Sequence, residues 1–356
     1  MPTLTAPAHL IVRVRRGTVA VLGEEREDVS FEASSPFVEV EQDGRQVELQ
    51  VRDHADVELT VRIPARTPSL EVEVALGRVR LAHLRGRLSV DLASGSFRGE
   101  ELSGDLDLDG GRADLVVDGM EGSLRIDAAL GSVQVMRARG DLQVDAGAGS
   151  VQVMDGEVRG TVESGTGSIV LLGVAGTLDV ESGLGSVDVE NPNGLRLTVE
   201  SAMGPVQIQG GRLTRLDASL ARGNLRVHQS VVDGGEVEIA AGSADLRLDG
   251  RQPGRLEAIA HHGRVISALP RVRLPFSGAP RVGERVVLTF GDGPEMLTVQ
   301  TRRGSITVER GRRDDEDIAS DQSIMRERRL VLEELSAGRI TADAARRLLD
   351  AIDRRP

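Results

Sequence analysis

Glycine returns at a fixed interval through the middle of this chain. It stands at 77, 86, 95, 104, 122, 131, 140, 149, 167, 176, 185 and 194, each 77 plus a multiple of nine, with only Ala113 and Val158 breaking the series. Such spacing marks a repeat architecture. After the glycines, apolar and polar residues alternate, as in Gly131-Ser-Val-Gln-Val, Gly140-Asp-Leu-Gln-Val and Gly185-Ser-Val-Asp-Val. Alternation with β-branched residues is the pattern of a half-buried strand, and glycine supplies the bend before it. Gly-Ser-Val or Gly-Ser-Ile segments start at 131, 149, 167 and 185, and Gly-x-Leu segments at 122, 140 and 176. The natural unit is therefore two short strands and two turns, 18 residues in all. Later copies loosen to 19 or 21 residues at Gly204, Gly223, Gly242 and Gly263, and Gly304-Ser-Ile-Thr-Val closes the series.

A chain that repeats every 18 residues with no helix between strands can satisfy its backbone by coiling. Each strand then bonds to its equivalent one coil away, at about 4.8 Å. The expected fold is all-β, a parallel β-solenoid, with residues 69–310 giving about 13 coils over roughly 60 Å. Leu142, Val144, Val151 and Val153 of one coil should stack on Leu124, Ile126, Val133 and Val135 of the one before. The narrow interior also explains a composition with no Trp, no Tyr and five Phe. The rival arrangement is an antiparallel sandwich or barrel, which calls for Asn-Gly or Asp-Gly hairpins and variable strand lengths.

Residues 1–68 read as a β-rich cap with irregular first coils, since they form strand patterns such as Val57-Glu-Leu-Thr-Val-Arg-Ile without the repeat. Pro270, Pro275 and Pro280 interrupt the coils as a loop, and Val286-Val-Leu-Thr-Phe290 is expected to resume them. Residues 311–322 form a charged linker. Residues 323–356 carry two amphipathic helical patterns, one ended by Gly338 and the other capped by Thr341. Val331 and Leu335 share a face of the first, and Leu348, Leu349 and Ile352 share a face of the second. So short a hairpin buries little core alone. These five residues are the candidate face for a protein partner or for self-association.

No cysteine is present, which removes disulfides, thiolate catalysis and thiolate metal sites. All 44 basic residues are Arg, against 56 acidic ones, a net charge of −12. Acidity without stacking aromatics argues against a nucleic-acid surface. No apolar run is long enough for a transmembrane helix, and Met1–Arg16 lacks the features of a secretory signal, so the expected location is cytoplasmic.

The chain resembles a known family in the residues Val61-Arg-Ile-Pro64, Leu70-Glu-Val-Glu-Val-Ala-Leu-Gly77-Arg-Val and Leu297-Thr-Val-Gln-Thr-Arg-Arg-Gly304-Ser-Ile-Thr-Val. These are similar to the first and last coils of the bacterial strand-repeat family DUF4097, described as adhesins. Leu330-Val-Leu-Glu-Glu-Leu-Ser-Ala-Gly338-Arg-Ile-Thr341 resembles the SHOCT-like hairpin found with some members. The resemblance implies a non-enzymatic binding protein linked to envelope stress, with no catalytic residue or cofactor to carry over.

One constellation invites a chemical reading. Glu73, Asp91, Asp109, Asp127, Asp145, Glu163 and Glu181 stand 18 apart, and Glu200 and Glu238 continue the column past Ser219. At 4.8 Å, neighbouring charges repel by about 0.9 kcal/mol in bulk water, less with salt. The column is either a hydrated turn position or a stripe for divalent cations or a partner; calcium-binding nonapeptide turns need more glycine than this chain has. Of the six histidines (His9, His54, His83, His228, His261 and His262), only His261 and His262 adjoin, and strand neighbours point to opposite faces. They are read as surface residues. Gly-x-Ser-x-Gly, P-loop and dinucleotide signatures are missing. Two further readings are a self-assembling scaffold and a polysaccharide-active β-helix; the latter needs long groove-building loops and aromatic platforms that the repeat lacks.

Overall fold

The computed structural model describes residues 3–5, 7–51, 56–274, 283–291 and 296–311. The chain divides into two units, Met1–Arg310 and Gly311–Pro356. The linker beyond Gly311 and the expected hairpin, with Val331, Leu335, Leu348, Leu349 and Ile352, lie outside the described residues. The first unit is all-β, with 28 strands and no helix among the described residues.

Through the middle, neighbouring strands run parallel. The strand Arg139–Ala148 lies between Glu157–Thr166 and the end of Arg85–Leu130, and both pairings advance by 18, as in Leu124↔Leu142 and Val144↔Val162. The short strands Val133–Met136, Val151–Met154, Ile169–Leu172 and Val187–Glu190 stack in the same register. From Val187 onward the step becomes 19, as in Val187↔Val206↔Leu225↔Ala244. This is the register that coils of about 18 residues require. The antiparallel sandwich is not the arrangement here.

The core follows from that register. Leu142, Val144, Val151 and Val153 are all at most 2% exposed and sit on Leu124, Ile126, Val133 and Val135 as the alternation predicts. Branched aliphatic side chains repeat along each inward column and fill the interior without aromatic bulk. The exception is instructive. Phe97 is buried at 1%, and two residues on, the inward site held by Leu81 in the previous coil is Gly99, where a Cβ would come within 3.1 Å of the Phe97 ring. The ring occupies the volume that glycine leaves.

The nine-residue glycine spacing resolves into two columns, each with an 18-residue step. In one, Gly131, Gly149, Gly167 and Gly185 have φ between 135° and 157°. A Cβ on Gly149 would lie 1.6 Å from the Gly131 carbonyl oxygen. In the other, Gly104, Gly122 and Gly140 have φ of 107°, 127° and 120°. Where Val158 breaks that second column, Gly160 takes over the positive φ at 146°. A third column has no glycine signature: His83, Glu101, Gly119, Arg137, Asp155, Gly173 and Asn191 all hold φ between 46° and 75°.

Both ends depart from a simple spiral, and they do so alike. The chain's first coil, His9–Glu24, pairs with Arg66–Ala82 on one side and with Gln46–Val51 and Val57–Pro64 on the other. It is therefore inserted one coil in from the end. At the other end, the last strands Met296–Arg303 and Ile306–Arg310 lie between Gly235–Ala241 with Ala244–Leu248 and Arg255–His262 with Val265–Ser267. The expectation that Gly263 follows Gly242 is corrected: Gly304 sits between them. Glu284–Thr289 does not resume the coil either; it runs antiparallel to Arg255–His262, with Arg271–Arg273 antiparallel beyond it. Val38–Asp43 covers Gln46–Val51 antiparallel in the same way, and Asp28–Ala33 covers Val57–Pro64. Antiparallel strands close the ends because a short connection returns the chain along its neighbour, whereas another parallel coil needs a full circuit.

Candidate functional site

The acidic column is a continuous ladder on the outer side of the longer-strand sheet. Glu73 pairs with Asp91, Asp127 with Asp145, then Glu163, Glu181 and Glu200 in turn, with Ser219 and Glu238 beyond. Strand parity puts Val144 and Ala146 inward and Asp145 between them outward. Among the described residues, none of Asp91, Asp109, Asp127, Asp145, Glu163, Glu181 and Glu200 forms an ion pair.

The ends of the ladder are capped. Arg13, inserted next to Glu73, donates Nε to its carboxylate at 3.0 Å and also bonds Glu48. That hydrogen bond holds Glu73 below the usual carboxylate range. At the far end, the Gln300 amide donates to Glu238. In the middle the opposite holds. Desolvation, and then the charges of Asp91, Asp127 and Asp107, push Asp109 up; desolvation, and then Glu181 and Asp145, do the same for Glu163.

The sign of the pH dependence follows. Asp109 and Glu163 bind protons more readily folded than unfolded, so stability rises as pH falls from just above the carboxylate range into it, and is lost again as pH climbs back. Asp109→Asn and Glu163→Gln are each expected to raise the melting temperature at pH 7 and to lose that advantage at about pH 3, below the ordinary carboxylate range, where the parent carboxyls are protonated. Neighbouring like charges about 4.8 Å apart repel by about 0.9 kcal/mol in bulk water, which sets the scale. Scanning calorimetry at the two pH values reads it; equal gains at both would assign the effect to packing.

Beside the ladder runs a stripe of small residues. Two positions past each acid, Gly147, Gly165, Gly183 and Ala202 leave the sheet surface bare, and an open groove of about 530 Å³ lies there against Asp145, Glu163, Glu181 and Glu200. Leu184, 51% exposed, and Met203, its partner in the next coil, stand on the far side. Under the groove, Ser164, Ser182 and Ser201 replace the alanines of the inward column at Ala128 and Ala146 and are buried. The sequence reading found the acids but missed the bare stripe, although its Gly/Ala spacing repeats with the same step.

The histidines do not converge. His9 bonds Ser69 at 2.9 Å, His228 lies 3.4 Å from Asp245, His83 occupies a left-handed turn, and His262 is paired with Arg303 in the sheet register. His54 lies outside the described residues. Among the described residues, no group of three or more His, Asp or Glu side chains is arranged to hold a metal ion. Among them also, no helix is long and apolar enough to cross a membrane.

No curated protein matches the sequence. A solved structure, a "putative cell adhesion protein" from Clostridium sporogenes, aligns over 87% of this chain and 98% of that chain, at 9% identity and a TM-score of 0.17. The family model Toastrack DUF4097 matches residues 12–274, from within the inserted first coil to just past the strand Arg271–Arg273. With well over half of its length accounted for in this way, the chain belongs to the Toastrack DUF4097 family.

Proposed function

We propose that this protein is a non-enzymatic, adhesin-like β-solenoid of the cytoplasm that binds a protein partner in envelope-stress signalling. Membership of the Toastrack DUF4097 family supports the non-enzymatic reading. The observation that carries partner binding is the unneutralised ladder beside its bare stripe: a regular, flat, charged surface offers many equivalent contacts but no enclosed pocket. Such surfaces suit an extended partner with matching positive charge. The C-terminal residues 323–356, read as a SHOCT-like hairpin, supply the second contact through Val331, Leu335, Leu348, Leu349 and Ile352.

The test is a pull-down from cell extract with three baits: the full chain, a chain ending at Gly311, and the full chain with Asp127→Asn, Asp145→Asn and Glu163→Gln. A partner held by the full chain should be lost from the shortened bait and reduced on the neutralised one. Equal recovery on all three would overturn the proposal.

A further inference from the structure

The two ends of the longer-strand sheet carry opposite charge, and each finishes in an edge strand among the described residues. At one end, Val38–Asp43 pairs only with Gln46–Val51 among the described strands and is an edge strand of the described sheet. At the other end, Arg271–Arg273 pairs only with Glu284–Thr289 among the described strands and is likewise an edge strand. Edge strands of this kind are templates for another chain. Continuity of register places both strands in one sheet, from Val38–Asp43 through the first coil and the ladder to Arg271–Arg273.

The closing segments differ sharply in charge. Residues 24–45 hold eight acidic side chains against Arg26 and Arg45, a net −6, whereas residues 255–285 hold six Arg against Glu257 and Glu284, a net +4. Internal pairing does not cancel this. Glu284 is taken by Arg273 at 3.2 Å and Glu257 by Arg285. Among the described residues, Arg255, Arg264 and Arg271 are left without an ion pair, and so are Glu41 and Asp43 at the acidic end. Apolar side chains accompany both edges: Phe37 and Val272 are 63% and 62% exposed.

We infer that this chain binds a second copy of itself head to tail, the acidic Val38–Asp43 edge of one molecule adding to the basic Arg271–Arg273 edge of the next. Strand addition supplies the main-chain bonds and the unpaired charges select the opposite end. Such a contact is heterologous, so each molecule keeps one edge open and growth continues unless the assembly closes into a ring.

Sedimentation of the full chain tests this. At low salt the average mass should rise with concentration, and added sodium chloride should reverse the rise. Glu41→Arg with Asp43→Arg turns the unpaired charges at the acidic edge from −2 to +2, so that both edges are basic; Arg264→Glu with Arg271→Glu turns those of Arg255, Arg264 and Arg271 at the other edge from +3 to −1, so that both edges are acidic. Each double variant alone should associate at least about tenfold more weakly, and an equimolar mixture should recover association, because only unlike ends then meet. If either loses the native melting transition, Glu41→Arg and Arg271→Glu singly carry the same comparison. A parent chain that sediments as one molecule at every concentration would overturn the inference. So would association that neither salt nor charge reversal changes, which would assign self-contact to another surface, or a mixture that fails to associate.

Discussion

Gly149→Ala is expected to cost at least about 4 kcal/mol, while Gly156→Ala in the same coil should change stability by less than about 1 kcal/mol. The two substitutions add the same methyl group. At Gly149 it would sit 1.6 Å from the Gly131 carbonyl oxygen, on a backbone whose φ of 144° an L side chain rarely adopts. No rotamer relieves that overlap, because the obstructing atom is backbone of the next coil. Relief requires the two coils to move apart, which breaks the hydrogen bonds that zip them. At Gly156 the nearest atoms are the Ala138 carbonyl oxygen at 3.2 Å and a Val158 methyl at 3.5 Å, and the neighbouring coils already carry Ala138 and Val174 at that position. Denaturant melts of both variants give the comparison. Equal losses would mean that glycine serves the turns through flexibility rather than through close approach.

This contrast also locates what could be read from the sequence. The Gly131–Gly149 column was legible because only glycine tolerates a backbone oxygen where its Cβ would be, so the constraint is written in one residue type. The left-handed column was not. His83, Glu101, Arg137 and Asp155 adopt φ near 50° with ordinary side chains, at a cost of about 1–2 kcal/mol each that the coils on either side sustain. No composition rule exposes them. The acid ladder was visible because like charges at an 18-residue step are improbable in any other fold. Its capping by Arg13 was not, since Arg13 reaches Glu73 only through an insertion that joins residues 60 apart in sequence. Nor could the pattern at Gly263 and Gly304 reveal its spatial order: both glycines fit the same corner, and local periodicity does not say which stacks first on Gly242.

That order carries the second large effect. A chain ended before Met296 is expected to lose its cooperative melting transition, whereas one ended at Gly311 keeps it. The missing segment contributes Leu297, Val299, Ile306 and Val308, each at most 2% exposed. At about 1.5–3 kcal/mol for each buried side chain, their removal forfeits roughly 6–12 kcal/mol, comparable with the whole stability of a typical domain. The loss is not confined to an end. Gly235–Ala241 and Arg255–His262 both pair with Met296–Arg303, so its removal leaves two facing strand edges one vacant coil apart. Repair would require the outer coil to slide inward by about 4.8 Å and pair Gly242 with Gly263 directly. The Gln252 side chain opposes that slide: its amide donates to the Val232 carbonyl and its oxygen accepts from the Val232 N–H, fixing the connection between the coils. Adding Gln252→Ala to the shortened chain should therefore ease closure and recover part of the transition. A shortened chain that melts within a few degrees of the longer one, with Gln252 intact, would show that the inserted coil is replaceable and that the simple spiral is also a stable arrangement.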